Sequence, residues 1–288
     1  MNVLLTGANG FVGRNIAAML TTAGHHIKPV SRQYGCDFAR MQSAEDWLPH
    51  LQEIDAVINS VGIIGESADQ RFDALHTHAP IALFQSCQQV GIKRVIQISA
   101  LGADESAFSA YHLSKRAADD FLRTLDLDWF VLRPAPIYGR GGTSAQFFMR
   151  LAGLPLVPMI GNGKQELQPI HISDMAATVL RALTAPTTRQ TLDIAGTETI
   201  TFGEWLQLMR QAQGLAGTPF IHFPLALVET LMRIGSRFSP LLRVDNLRML
   251  QASHHADTQP FTDFLGRAPL KLESRLFFSD MMNAGNPQ

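Results

Sequence analysis

The eight residues Thr6-Gly7-Ala8-Asn9-Gly10-Phe11-Val12-Gly13 constrain this chain more than any other stretch. They follow the apolar strand pattern Val3-Leu4-Leu5 and open a helix that reads from Phe11 to Ala23. Its apolar positions Val12, Ile16, Met19 and Leu20 fall at helical spacing, and Gly24 ends it. Glycines at a strand-to-helix turn let the backbone bend and let another group approach it closely. The helix start then offers free N–H groups and a partial positive charge. Strand, glycine turn and helix in that order point to a diphosphate seated on Gly7, Asn9, Gly10, Phe11, Val12 and Gly13, with Gly13 allowing tight helix-on-strand packing.

The rest of the first half extends the same logic. Strands are expected at Ile27 to Val30, Ala56 to Ile58, Arg94 to Ile98 and Trp129 to Leu132, with helices at about Phe72 to Val90 and Tyr111 to Leu125. Strict alternation implies right-handed crossovers, hence an α/β fold with a doubly wound parallel sheet covered on both faces. After Pro134 the alternation fails. Glycines 139, 141 and 142 and the run from Pro155 to Gly163 read as loops, so insertions are expected at about 139–168. Short strands at Ile170 to Ile172 and Leu192 to Ile194 flank a helix at about Asp174 to Leu183, and helices follow at Phe202 to Ala212, Leu225 to Phe238 and Val244 to Ala252. This divides the chain into a dinucleotide-binding domain over 1–200 and a smaller, mostly helical substrate domain over 201–288, whose last residues, Asn283 to Gln288, read as frayed.

Composition narrows the function classes. The chain of 288 residues is 46% hydrophobic with a net charge of -1, which speaks against nucleic acid as a partner; a small-molecule substrate is expected. Two cysteines, Cys36 and Cys87, make no disulfide scaffold or four-cysteine zinc site and read as small buried residues. The absence of a basic and apolar leader pattern and of a long apolar run leads to a cytoplasmic expectation. Oligomeric state leaves no signature.

The spacing Gly-x-x-Gly-x-x-Gly resembles the short-chain dehydrogenase/reductase superfamily, in its extended or atypical branch. Further pieces carry the likeness over about residues 1–200: Cys36-Asp37-Phe38, Asn59-Ser60-Val61-Gly62, Tyr111-His112-Leu113-Ser114-Lys115, Leu132-Arg133-Pro134 with Ile137-Tyr138-Gly139, and Gln168 to Asp174. Val61-Gly62-Ile63-Ile64 and Ile98 to Asp104 are similar to the atypical group that includes the dinucleotide-binding accessory subunit of respiratory complex I. The resemblance implies a nicotinamide dinucleotide, with Asp37 and Phe38 beside its adenine, Val61 and Gly62 along it, and Pro134 and Ile137 beside its nicotinamide.

Two local features bear on cofactor and chemistry. The second strand ends in Ser31-Arg32 with no carboxylate before Asp37, which favours NADP, its 2′-phosphate paired with Arg32, over NAD. Tyr111 and Lys115 lie four apart on one helix face, and a nearby ammonium favours a phenolate, so Tyr111 is expected to have a lowered pKa and act as acid or base. The resemblance adds that Lys115 also holds the nicotinamide ribose. It further implies a second hydroxyl residue after Ser99, where this chain has Ala100, so Ser99 either polarises the substrate or is a structural hydroxyl.

Weaker signals take plainer readings. His25-His26, His76, His78 and His254-His255 lack carboxylates at zinc-ligand spacing and read as solvated or helix-end residues, with no metal implied. His171 reads as a hydrogen-bonding structural residue, and Trp47 and Trp205 as helix-packing ones. Leu225, Val228, Leu231, Met232 and Gly235 form an apolar stripe flanked by Arg233, Arg237 and Arg243. It reads first as a core-facing helix roofing the substrate cleft, and second as a helix on a membrane surface or against a lipid-like substrate. Three functions stand: an NADP-dependent oxidoreductase acting between hydroxyl and carbonyl, a non-catalytic dinucleotide-binding sensor or assembly subunit, and a sugar-nucleotide epimerase or dehydratase.

Overall fold

Every strand expected in the first half forms, and each forms because its residues alternate between two cores. The computed structural model describes residues 1–236, 242–252 and 254–279, with backbone alone at 143 and 144. Arg237, the expected helix end at Phe238 and the tail Asn283 to Gln288 lie outside the described residues. Six strands make the central sheet: β1 (Asn2–Thr6), β2 (His26–Val30), β3 (Ala56–Asn59), β4 (Arg94–Ile98), β5 (Asp128–Pro134) and β6 (Gln190–Ile194). They are parallel throughout and ordered β2-β1-β3-β4-β5-β6. Val3, Leu5, Ile58, Ile96, Phe130 and Leu132 point into one core, while Leu4, Val57, Val95, Trp129 and Val131 point into the other. That period of two is what a sheet covered on both faces requires.

Helices supply the two covers. The helices α1 (Phe11–Thr22) and α4 (Ile172–Thr184) bury Ile16, Leu20, Met175 and Val179 in the first core. The helices α2 (Ala79–Val90) and α3 (Ala110–Arg123) bury Leu83, Phe84, Ala118 and Leu122 in the second, together with Trp47. Ahead of α2 the chain makes a π-helical stretch, Asp73–His78, in which the Ala79 N–H donates to the Ala74 carbonyl. Pro80 explains it: proline has no N–H to give the His76 carbonyl, so the regular ladder cannot run back through this turn.

The loop insertions expected over 139–168 are a correction. The structure folds Thr143–Ala152 into a helix and Val157–Ile160 into a strand that pairs in parallel with Phe220–Phe223. Flanking glycines and the lack of a side-chain cap hide this helix in the sequence; the core it helps to build stabilises it. Tyr138, Ala152, Val157 and Met159 join Phe202, Trp205, Leu206 and Met209 in a third apolar cluster, which the helix α5 (Phe202–Ala212) centres. A boundary at residue 200 therefore runs through this cluster.

Phe202 is fully buried and meets Phe148 edge-on at 5.4 Å. Phe202→Ala is expected to cost about 3–5 kcal/mol of stability, measured by urea denaturation; a loss below 1 kcal/mol, roughly the surface-substitution range, would contradict a shared core.

Candidate active site

Reversal of strand order between β1 and β3 leaves a crevice at their carboxyl ends, and the glycine turn lies there. A Cβ on Gly13 would stand 2.1 Å from the Gly7 carbonyl oxygen, and one on Gly7, whose φ is +68°, would stand 3.0 Å from the Ser60 backbone. Only glycines bring the three segments this close. Gly10 caps α1 without a side-chain hydrogen bond, and no carboxylate occupies the first turn. The amide-rich helix start is thus not neutralised by its own residues, as an anion site requires.

A buried polar ladder fixes the crevice. The Thr6 hydroxyl donates to Asn59 Oδ1 at 2.6 Å, and Asn59 Nδ2 donates to Gln97 Oε1 at 2.7 Å. These three are direct register partners on β1, β3 and β4. Ser60 Oγ adds a 2.6 Å bond to the Thr6 carbonyl, and the Val61 N–H reaches Asn59 Oδ1 at 3.3 Å. The turn at Val61-Gly62 is therefore held in place from below.

Lys115 meets that turn from the other side. Ser109 caps α3 by accepting from the His112 N–H at 3.1 Å. Six residues on, the buried Lys115 Nζ donates to the Val61 carbonyl at 3.0 Å and the Ile98 carbonyl at 3.1 Å. An ammonium has three hydrogens, so one remains for a ligand. A Cβ on Gly62 would come 3.3 Å from Nζ, so the bare glycine keeps that face open. Burial lowers the Lys115 pKa, and the Asp119 carboxylate one turn on opposes the shift.

Tyr111 is half-buried in an aromatic nest. Its ring meets Phe72 at 5.9 Å, His76 at 5.4 Å and His112 at 5.3 Å. The expected lowering of its pKa is not found. Burial first, and the Asp119 carboxylate second, push the phenol up to about 12. Lys115 is spent on carbonyls and does not offset the desolvation. The Ser99 hydroxyl donates to Asp119 inside the core. Burial raises the Asp119 carboxyl, and the Ser99 hydrogen bond is the largest opposing influence.

The remaining candidates spread along the crevice. Asn9 Nδ2 donates to Ser31 Oγ at 2.9 Å and to Gln33 Oε1 at 2.7 Å, tying the glycine turn to the end of β2. Arg32 beside them is exposed. Asp37 instead caps its own turn through the Ala39 N–H and pairs with Arg40 at 3.2 Å. Phe38 is buried against Trp47 at 5.3 Å, a core residue in its side chain. Pro134 ends β5, and Ile137 starts a two-residue strand paired with Ile170–His171. Phe11 and Val12 pack partly into the first core beneath the helix start. A depression of about 620 Å³, lined by Asn2, Leu51, Asp55 and Ile92 among others, opens at the amino-terminal ends of the strands, away from all of these groups.

Sequence reasoning missed three groups. The sequence pattern points to a solvated His76, yet it is fully buried beneath Tyr111. Its Nε2 accepts from the Ile63 N–H at 3.0 Å, and burial, then the Lys115 charge, hold its pKa well below the usual value. Pro80, which forces the π-helical stretch, was the available signal. Asp119, four residues after Lys115, was visible by spacing alone. His254 is not solvated either: it stacks edge-on with His112 at 5.3 Å and lies over Gly102. His112 Nδ1 and His254 Nε2 are buried with no hydrogen-bond partner among the described residues.

A sheet ordered in this way, a glycine turn at its switch point and a Tyr-x-x-x-Lys helix beside it define an extended short-chain dehydrogenase/reductase. A family model described as the NAD dependent epimerase/dehydratase family matches residues 3–195, and the chain belongs to that family. It is 24% identical over 294 residues to the mitochondrial NADH dehydrogenase (ubiquinone) 1 alpha subcomplex subunit 9 of Mus musculus, spanning 93% of this chain and 76% of that protein. It is 27% identical over 198 residues to the ceramide reductase of Caulobacter vibrioides, spanning 64% of this chain and 61% of that enzyme. In fold it is similar to the UDP-N-acetylglucosamine 4-epimerase of Bacillus cereus, with a TM-score of 0.73, 17% identity and coverage of 96% of this chain and 94% of the other.

Burial also sets an acid-stability signature. Burial, then His254, lowers the His112 pKa from 6.5 to about 4. The ring is neutral in the folded chain while the unfolded chain takes up a proton, so its stability contribution is complete above pH 6.5 and lost as pH falls towards 4. The unfolding midpoint should fall over that window, and His112→Gln should flatten part of the fall. An identical pH profile in the variant would contradict a buried neutral ring.

Proposed function

We propose that this protein is an NADP(H)-dependent oxidoreductase that interconverts a carbonyl and a hydroxyl group on a small or lipid-like molecule. The carrying observation is Lys115, clamped between the Val61 and Ile98 carbonyls with one ammonium hydrogen left over, one helical turn from Tyr111. The residues fit the cofactor: a diphosphate on the amides of residues 10–13, the nicotinamide ribose on Lys115, and the adenosine end at Asn9, Ser31 and Arg32. The bound nicotinamide would supply or accept the hydride.

Each remaining role falls to a named side chain. Arg32, exposed at the end of β2 while Asp37 is turned onto Ala39 and Arg40, is free to pair with a 2′-phosphate. Tyr111, with a pKa of about 12, stays protonated through the neutral range. It therefore suits the reductive direction, giving its proton to the substrate oxygen as the carbonyl carbon takes the hydride. With Ser99 turned to Asp119, the His112 ring against Tyr111 carries a buried Nδ1 with no hydrogen-bond partner among the described residues, a further polar group beside the phenol. A second reading, a non-catalytic dinucleotide-binding subunit, draws on Ala100 and on that same committed Ser99.

NADPH oxidation with a carbonyl panel separates the two. Turnover should fall by about 10²–10⁴-fold in Tyr111→Phe; turnover unchanged by that substitution would remove Tyr111 from the reaction, and none in the native protein would favour the second reading. NADPH should bind more tightly than NADH in a fluorescence titration, and Arg32→Ala should weaken NADPH alone by about 10- to 100-fold. Equal affinity for the two coenzymes would overturn the NADP assignment.

A further inference from the structure

The helix Leu225–Gly235 buries none of its residues, so the core-facing roof expected there is a correction. The chain after it lies against the start of α3 instead: Met249 Sδ is 3.2 Å from Ser109 Oγ, and the His254 ring meets that of His112. Deeper along α3, one charge has no part in the chemistry above. Tyr111, Lys115, Asp119 and Arg123 follow one another at intervals of four and share a helix face. Asp119 on that face is fully buried against the end of β4.

We propose that Asp119 is a positioning residue, the buried counter-charge that keeps Lys115 an ammonium and so keeps its third hydrogen for the coenzyme ribose. The ribose comes from the oxidoreductase reading, on which this role rests; the pairing of the two charges does not need it. Hydrogen-bond directions fit Asp119 for a negative charge. The Val61 N–H can only donate, so Asn59 Oδ1, 3.3 Å away, accepts. Asn59 Nδ2 therefore donates, to Gln97 Oε1 at 2.7 Å, which leaves Gln97 with the hydrogens of its Nε2. That nitrogen and Asp119 Oδ1 are both buried without a hydrogen-bond partner among the described residues. The Gln97 amide is among the groups that favour the carboxylate. Ser99, two residues on, donates its hydroxyl to Asp119 Oδ2. Both β4 side chains that face Asp119 are thus donors, which suits a carboxylate rather than a carboxylic acid.

The two cations on the same helix face are unequal. Arg123 is committed to Asp120 Oδ1 at 2.7 Å and to Thr191 Oγ1 on β6 at 3.1 Å. The acceptors of Lys115 are neutral, the Val61 and Ile98 carbonyls. An ammonium buried among neutral groups is costly unless an opposite charge lies near. Asp119 is that charge: burial lowers the Lys115 pKa, and the Asp119 carboxylate holds it up. Lys115 in turn favours the carboxylate ahead of Arg123. The other titratable neighbours add no second anion, since burial keeps His76 neutral and the Tyr111 phenol protonated. Without Asp119, Lys115 gives up its proton more readily. An amine has two hydrogens, both already on carbonyls, so a lone pair would face the ribose.

The test is an NMR titration of the full chain labelled with carbon-13 at the lysine ε-carbon, the Lys115 resonance being identified by its loss in Lys115→Arg. In Asp119→Asn the alkaline step of that resonance should move to lower pH by about one unit. The native resonance should also show a smaller step at lower pH as Asp119 titrates. Ser99→Ala, a milder change, takes a donor from the carboxylate and should move that smaller step to higher pH. An alkaline step left in place in Asp119→Asn, or a smaller step that is absent or that Ser99→Ala leaves unmoved, would overturn the proposal. Fluorescence titration with NADPH on the same samples reads the consequence. At a pH between the native and variant steps, Asp119→Asn should bind the coenzyme about tenfold more weakly, and below both steps the two should bind it alike. Equal weakening at every pH would mark a merely structural residue and overturn the positioning role. A native protein that binds no NADPH at any pH, with the Lys115 step moving as expected, would keep the counter-charge and sink the coenzyme reading.

Discussion

The near contact between Gly13 and the Gly7 carbonyl sets the rest of the site. With 2.1 Å between that oxygen and any Cβ at residue 13, the first helix can lie this close to the first turn with glycine alone. The closeness aims the helix start at the end of β1, where the switch in strand order has already opened a crevice. The ladder from Thr6 through Asn59 to Gln97 then locks three strand ends in register and carries the Val61-Gly62 turn to the opposite wall. Lys115 reaches that turn from the other side and ties it to the end of β4. Backbone geometry, buried amides and one ammonium thus build a slot whose lining is donors rather than carboxylates.

Beside the slot, burial decides the chemistry. Desolvation holds Tyr111 protonated, His76 and His112 neutral, and Lys115 below its ordinary pKa. These shifts share one cause, the packing of the π-helical stretch and the C-terminal segment around the start of α3. A site of that kind favours the neutral form of each group, so the phenol keeps its proton while the imidazoles give theirs up, and an added positive charge in the slot would move the Tyr111 pKa down again. The family match runs over residues 3–195, the dinucleotide-binding frame, and membership does not fix a substrate.

How much of this was legible follows from the range of the interactions. The sheet strands and α1, α3 and α5 were readable because each carries its own period, and α5 begins with a capping box at Thr201 and Glu204. The glycine turn and the Tyr111–Lys115 pair were readable because neighbouring residues make them. The helix Thr143–Ala152 was not, since its partner Phe202 is far away in sequence and its ends are glycines. His76 under Tyr111, Ser99 on Asp119 and His254 over Gly102 depend on contacts across 35, 20 and 152 positions of sequence, which no local pattern records. The lowered phenol pKa was a spacing argument, and desolvation, which spacing does not report, outweighs it.

The most direct measurement is a crystal structure of the protein grown with NADPH. This account predicts diphosphate oxygens within hydrogen-bonding distance of the amides at the start of α1, and a ribose hydroxyl on the third hydrogen of Lys115. A crevice that stays empty at saturating coenzyme, or a dinucleotide bound elsewhere on the molecule, would contradict it.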